Sequence, residues 1–304
     1  MGYSSEAGWR LNLEYVYINQ DQLRTGTHTT TPAQVVNAPF DPALGGGEIE
    51  QDTINRYLNL GLSYRPNADW NFNLIAPYVI RGHSTYGVQT QPFTPAEIAP
   101  DQLSYTQFSQ LGDIKLLAAY QGLLPTHNLG IQLGLKLPTG AYGTAIKFAS
   151  GPNTGTPLDA SLQPGTGSTD IIVGAYYFQP VSQDFDAFAN ANFQSALAHQ
   201  QNQPGNDFRP GNSVTVSFGL RYEAHPRWVP QLQINLYDKR ADQGALADAL
   251  DTVGFVTYVS PGLTVQVVRH LQLYGLLQVP VYSNLGGYQL FPHWTGTVGF
   301  SYGM

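Results

Sequence analysis

The feature that most limits how this chain can fold is a two-residue rhythm running from one end to the other. In WRLNLEYVYIN, Trp9, Leu11, Leu13, Tyr15 and Tyr17 share one face while Arg10, Asn12 and Glu14 share the other. Leu58, Leu60, Leu62 and Tyr64 oppose Asn55, Tyr57, Asn59 and Ser63, and Trp70, Phe72, Leu74, Ala76 and Tyr78 alternate with Asn71 and Asn73. The pattern returns in Leu129, Ile131, Leu133, Leu135 and Leu137 against Gly130, Gln132, Gly134 and Lys136, and in Val216, Phe218, Leu220 and Tyr222 against Ser213, Thr215, Ser217 and Arg221. Successive side chains point to opposite faces of a strand, so this rhythm specifies strands with one apolar and one polar face. It predicts about twelve of them, near 9–19, 53–65, 70–81, 107–121, 129–139, 170–179, 185–198, 212–224, 229–240, 254–267, 272–282 and 293–303. No segment has helical periodicity long enough to compete.

Alternation alone does not say which face lies inside. Charged residues make up only 12% of the 304, against about 25% in an average soluble protein, and the polar faces are mostly Gly, Asn, Gln, Ser and Thr. Such a face suits a lumen better than a soluble exterior. No run approaches the ~18 apolar residues of a membrane helix, and a chain that crosses a bilayer without helices must close its strands into a barrel. Connections alternate in length as well. Short ones such as RPNAD, GLLPTHN, QPVSQD, AHPRW and RH interleave with long ones near 20–52, 82–106, 140–169, 199–211, 241–253 and 283–292, as periplasmic turns and extracellular loops do. Aromatic residues gather where the two membrane interfaces should fall. Trp9, Tyr64, Trp70, Tyr120, Tyr177, Phe185, Tyr222, Trp228 and Tyr302 adjoin short turns, and Tyr17, Tyr78, Phe193, Tyr282 and Trp294 lie toward the other side. The expectation is all-β: one transmembrane antiparallel up-and-down β-barrel over 1–304, in a bacterial outer membrane. The N-terminus MGYSSEAGWR lacks the basic and apolar regions of a signal peptide, so an exported chain is expected here in its mature form.

The stretch LQPGTGSTD looks at first like a phosphate cradle. A P-loop needs a Lys after its last Gly and a helix behind it. Here Ser168 follows Gly167, and IIVGAYYF continues as a strand. Together with SQLGDIKLLAAYQ and GLKLPTGAY, the stretch resembles outer-membrane barrels of the phenol meta-degradation-pathway transporter type, whose order of motifs is matched by Gly112-Asp113, Leu137-Pro138-Thr139-Gly140 and Gln163 to Asp170. The resemblance implies a porin-sized barrel more firmly than it implies a substrate. The chain ends VGFSYGM, an alternating closing strand in which Met304 stands where such barrels usually carry Phe or Trp.

Ionisable side chains on the predicted inner face are few: Arg10, Glu14, Asp113, Lys115, Lys136, Asp186, Arg221 and Lys239. Pairing 107–121 with 129–139 brings Asp113 near Lys136, with Lys115 on the same face, as a network holding the wall or as a field seen by a passing solute. Tyr57, Tyr176, Phe188, Tyr258 and Tyr274 share that face and are expected to fill the barrel or stack on aromatic solutes. Gln163, Pro164, Gly165, Thr166 and Gly167 are expected to form a turn-rich loop end, with Gly165 and Gly167 at positive φ, or else a constriction folded into the pore. The histidines fall in loops or at strand ends, without metal-site spacing, so neither metal nor other cofactor is expected. Glu48, Glu50 and Asp52 are candidates for divalent cations that bridge lipopolysaccharide, or simply solvated charge. Cysteine is absent and the net charge is -7, which excludes thiol chemistry and argues against nucleic acid. His83-Ser84 lacks a third catalytic member, so no enzyme is expected. The expected function is diffusion of small molecules, hydrophobic or aromatic ones among them, through the lumen. The partners are then outer-membrane lipid, lipopolysaccharide and the solutes. The alternative is a non-transporting barrel that docks protein partners through its extracellular loops.

Overall fold

The computed structural model describes residues 7–37, 49–87 and 98–304, and Glu48 lies outside them. Its strands are β1 (Gly8–Gly26), β2 (His28–Thr29), β3 (Ile49–Arg65), β4 (Trp70–Tyr86), β5 (Leu103–Leu111), β6 (Ile114–Tyr120), β7 (Leu129–Leu137), β8 (Ser168–Pro180), β9 (Phe185–His199), β10 (Asn202–Gln203), β11 (Asn206–Asp207), β12 (Ser213–Tyr222), β13 (Trp228–Lys239), β14 (Gly254–Val268) and β15 (Leu271–Gly303). A single turn and a half of helix, α1 (Pro32–Asn37), sits between β2 and β3. Eleven strands close a ring in the order β1-β3-β4-β6-β7-β8-β9-β12-β13-β14-β15, and β15 pairs back onto β1. Within the same sheet β2 and β5 lie outside that ring, and β10 and β11 make a separate hairpin.

The count is eleven rather than the expected twelve or so, because the segments expected at 272–282 and 293–303 are arms of one continuous element, β15. An odd antiparallel ring cannot close with every strand straight. β15 resolves this: Leu271 to Leu285 pairs antiparallel with β14, and Leu285 to Gly303 pairs antiparallel with β1. Its 33 residues would span ~110 Å if straight. Instead the element doubles back near Gly286-Gly287, so that the Gly303 amide donates to the His270 carbonyl at 2.9 Å. The segment expected at 107–121 is split the other way. β4 pairs with β5 from Tyr78 outward and with β6 from Ile75 inward, and the break is Gly112-Asp113.

The parity predicted to meet lipid is the exposed one. Leu60, Leu133, Val173, Leu220, Leu232 and Val298 stand on the outside of the wall. Aromatic rings pair across neighbouring strands at the short-turn end: Trp9 with Tyr64 at 4.5 Å, Trp70 with Tyr120 at 4.9 Å and Phe185 with Tyr222 at 5.2 Å. At the other end Tyr17 meets Trp294 at 5.6 Å. Strands run well past this outer girdle. β4 continues from Tyr78 to Tyr86, and β1 reaches Gly26 through register shifts. Three buried apolar clusters occupy this outer extension, around Val79 and Phe108, around Leu23 and Leu290, and around Val256 and Phe291.

Candidate functional site

The three sequence motifs meet at one lysine. Lys136 is the penultimate residue of β7 on the inward parity, and its side chain is buried beside Asp113 and Asp170. Its Nζ donates to Asp113 Oδ2 at 2.9 Å and to Ser168 Oγ at 3.1 Å, lies 3.3 Å from Asp170 Oδ2, and also reaches Thr166 Oγ1. Two carboxylates around one ammonium leave an excess negative charge, and buried charge is tolerated only when its remaining valences are met. They are met here. The Gly140 amide donates to Asp113 Oδ1 at 3.0 Å, the Thr166 amide to Asp113 Oδ2 at 3.1 Å, and Ser168 Oγ and Gln194 Nε2 each donate to Asp170 at 2.6 Å. Thr139 completes the junction: its hydroxyl donates to the Gly112 carbonyl and accepts from the Ile114 amide, both at 2.9 Å.

Local backbone makes this convergence feasible. A Cβ on Gly165 would sit 2.5 Å from Asp113 Oδ1 and 2.8 Å from the Gly140 carbonyl, so that residue is glycine for close approach. Positive φ is found at Gly167, at +65°, and not at Gly165, which corrects the expectation for Gly165. Pro164 contributes the carbonyl that packs over Gly112.

From this junction the loop 138–167 folds to the inside of the barrel. Ile146, Phe148 and Leu158 pack on Val79 and Phe108, with Tyr57 and Leu162 beside them, and Val79 and Tyr57 belong to the inward parity. Gln163 staples the loop to itself. Its Oε1 accepts from the Ile146 amide at 2.9 Å, and its Nε2 donates to the carbonyls of Ile146 at 3.0 Å and Leu158 at 2.7 Å. Arg81 ties the loop to the wall by donating to the Leu162 carbonyl, to Tyr57 Oη at 3.0 Å and to Asn55 Oδ1. Sequence reasoning missed Arg81, which it took as the last residue of a strand that in fact continues five residues further.

The other predicted residues divide by depth. Glu14 accepts from Asn59 at 3.0 Å and from the Tyr274 hydroxyl at 3.1 Å, a triad across β3, β1 and β15. Arg221 pairs with Glu223 at 2.8 Å and is the register partner of Asp186 near the short turns. Lys239 pairs with buried Asp242 at 2.9 Å at the opposite end. Arg10 is half-buried on the inner parity of β1. Lys115 stands in register with Lys136, yet it makes no hydrogen bond or ion pair with another described residue. Tyr176 donates to Gln121 at 3.0 Å, Tyr258 borders an outer apolar cluster, and Phe188 is half-buried on β9. His83 is not in a loop or at a strand end as expected. It is fully buried in β4, with Nδ1 2.8 Å from Thr53 Oγ1 and its ring 5.9 Å from that of Phe148, while its neighbour Ser84 bonds Asp52 instead. Glu50 accepts from the Leu290 amide at 3.2 Å. Among the described residues no group of three or more His, Asp or Glu is placed to hold a metal.

No protein-family model matches the chain, and no curated protein matches it in sequence. Among solved structures, an outer-membrane channel from Pseudomonas putida F1 aligns over 99% of this chain and 97% of its own, with TM-score 0.66 at 12% identity. The CymD monoaromatic hydrocarbon channel aligns over 98% and 89% at 10% identity with TM-score 0.49, and the Ralstonia pickettii toluene transporter TbuX over 98% and 90% at 10% identity with TM-score 0.46. Likeness at these identities bears on fold, and of the three the first is near enough in shape to do so. With the closed sheet, the lipid-facing apolar parity and the paired aromatic girdle, it establishes the chain as an outer-membrane β-barrel.

Proposed function

We propose that this barrel admits small molecules, hydrophobic or aromatic ones among them, by diffusion through its lumen, with the loop 138–167 as the constriction they pass. The observation that carries this is the state of the inner face below the loop. Asn12, Glu14, Asn59, Gln132, Thr215, Ser217 and Gln233 all point inward and are half-buried rather than buried. A barrel closed by packing would have buried them, as the interior of a small filled barrel is. They instead form polar ladders, with Ser63 donating to Asn73 at 2.6 Å and Gln132 to Asn192 at 3.2 Å, that leave room for water. In this reading Phe188, Tyr176 and Tyr274 offer ring faces to a passing aromatic solute, and Lys115 sets the local field.

Single-channel recording of the purified barrel in planar lipid tests the proposal. Discrete conductance is expected, falling reversibly when a monoaromatic solute is added to the external side. A barrel that is folded by its heat-modifiable migration and yet carries no current would overturn it.

A further inference from the structure

An open apolar groove of about 600 Å³ runs across the lipid-facing side of the wall, from β1 over both arms of β15 to β14. Tyr15, Tyr17, Leu263, Leu277 and Val298 form its sides. Its floor is low because Gly275 and Gly296 interrupt the row of large side chains. A Cβ on Gly275 would find nothing nearer than 3.7 Å, whereas one on Gly296 would meet the Trp294 ring at 2.9 Å. Trp294 therefore lies down over Gly296 and borders the groove where it reaches the outer girdle. The groove continues inward to Leu277, about midway along the first arm of β15. A smooth hydrophobic belt needs no such cleft.

A second observation lies at its outer end. Arg56 is the register partner of Tyr17, on the parity that faces lipid, and its guanidinium carbon sits 5.9 Å from the centre of the Tyr17 ring. Among the other basic residues of the strands, Arg10, Arg65, Arg81, Lys115, Lys136, Arg221 and Lys239 belong to the inward parity. Arg56 makes no ion pair or hydrogen bond with another described residue. A cation at a lipid-facing position is costly unless it reaches the headgroup layer and meets an anion there. The Tyr17 ring supports it at that level through a cation–π contact.

The geometry points to a specific site for an outer-leaflet phosphorylated glycolipid of the lipid A type, with one acyl chain lying along the groove between Tyr15 and Leu277 and a phosphate on Arg56. An acyl chain matches an apolar cleft that descends from the interface toward the midplane. A phosphate matches a planar guanidinium with free donors. Orientation chooses the lipid, since the long loops and the outer girdle place Arg56 at the external leaflet.

The barrel itself supplies the probe. Of its four tryptophans, Trp9, Trp70 and Trp228 adjoin the short turns and Trp294 borders the groove. A variant carrying W9F, W70F and W228F, held in dodecyl maltoside micelles, would report from Trp294 as lipid A or its dephosphorylated form is titrated, with native mass spectrometry counting bound lipid. Saturable binding of one lipid A is expected. Arg56→Gln should weaken it about tenfold, the scale of a lost charge-assisted contact, while leaving the weaker dephosphorylated lipid unaffected. Leu277→Phe, at an exposed rim position that should not disturb folding, and Gly275→Leu, on the floor, should weaken both lipids. Equal affinity for the two lipids in the parent variant would overturn the site, as would unchanged lipid A binding in Leu277→Phe.

Discussion

The inside of this barrel is two different media. Outward of the level where Lys115 and Lys136 face each other, the interior is filled, and consecutive residues of both parities are buried, as His83, Ser84 and Thr85 are on β4. Toward the short turns, polar inner side chains such as Asn12, Asn59, Gln132, Thr215 and Gln233 stay half-exposed, while Ser260, Thr264 and Ser301 on β14 and β15 are buried. The two lysines mark the boundary: Lys136 is enclosed by Asp113, Asp170, Thr166 and Ser168, and Lys115 beside it has none of them. A closed ladder satisfies its own backbone, so the strands do not need a packed interior to persist. Where this interior is packed, Arg81, Gln163 and the Lys136 cluster hold the loop there, and the half-exposed inner side chains below it are where the proposed passage would run.

The comparison breaks most completely at Lys136. Lys136→Met would leave Asp113 and Asp170 buried together without a cation, and removing one partner of a buried pair costs about 3–5 kcal/mol. The expected outcome is loss of the folded, heat-modifiable species or a lower denaturant midpoint for what remains. Lys115→Gln should shift the midpoint little, because no ion pair is lost. Equal midpoints for the two variants would remove the distinction between the lysines.

Next in size is the loop. Replacing residues 143–160 by a short Gly-Ser linker keeps Gly140, Gly165, Thr166 and Gly167, and so keeps the junction at Lys136. It exposes Val79 and Phe108, at a cost of roughly 1.5–3 kcal/mol each, which the barrel ladder should survive. Conductance should rise several-fold. An unchanged conductance in the folded variant would place the constriction elsewhere.

How much of this was legible in the sequence follows the same division. Between the girdles one face meets lipid, so parity was visible in single segments such as 129–137, and the inward placement of Asp113, Lys136, Glu14 and Tyr274 followed from it. Beyond the girdle both faces are covered, and the rhythm disappears just where strands continue. The true extents of β1 and β4 were therefore hidden, and with them the burial of His83 and the role of Arg81. The break at Gly112-Asp113 was equally hidden, since a turn inside a long extended element leaves no change of period, whereas the doubling back of β15 at Gly286-Gly287 falls within the connection expected at 283–292 and only the continuation of strand pairing through it was missed. Gly165 was assigned the wrong reason for being glycine because close approach to Asp113 is a tertiary contact, invisible to local turn chemistry.

A smaller effect concerns the hollow side. Asp113, Asp170, Lys115 and Lys136 balance to neutrality at one level of the wall. Lys115→Gln leaves one net negative charge there, and the reversal potential in a salt gradient should move toward cation preference, by about twofold in permeability ratio at low salt and less as screening grows. A reversal potential identical to that of the parent would take Lys115 out of the permeation path.

The smallest expected effect sharpens the boundary from outside. Asp251, in the loop 240–253, accepts from the Tyr288 amide at the turn of β15. Burial, then the neighbouring Asp248 and more weakly Glu50, push its carboxyl up to about 9. Asp159, from the inward-folded loop, is raised to about 6 by burial and then by the charge of Asp248, and burial raises Asp248 as well. Carboxylates of the two loops thus raise one another, with Asp242 adding a further negative charge that raises Asp248. A carboxyl whose folded value lies above its unfolded one holds its proton more tightly when folded. Its contribution is fully present below about 4, and is lost as pH rises toward the folded value. Repulsion between the two loops should therefore be least in acid and grow progressively between about pH 4 and 9. The expected outcome is slower proteolysis within 241–253 and lower conductance at pH 5 than at pH 8.5. Asp251→Asn, which keeps the acceptor for Tyr288 without the charge, should flatten that difference. A pH profile that is the same in parent and D251N would show that these protons do not govern how the loops pack.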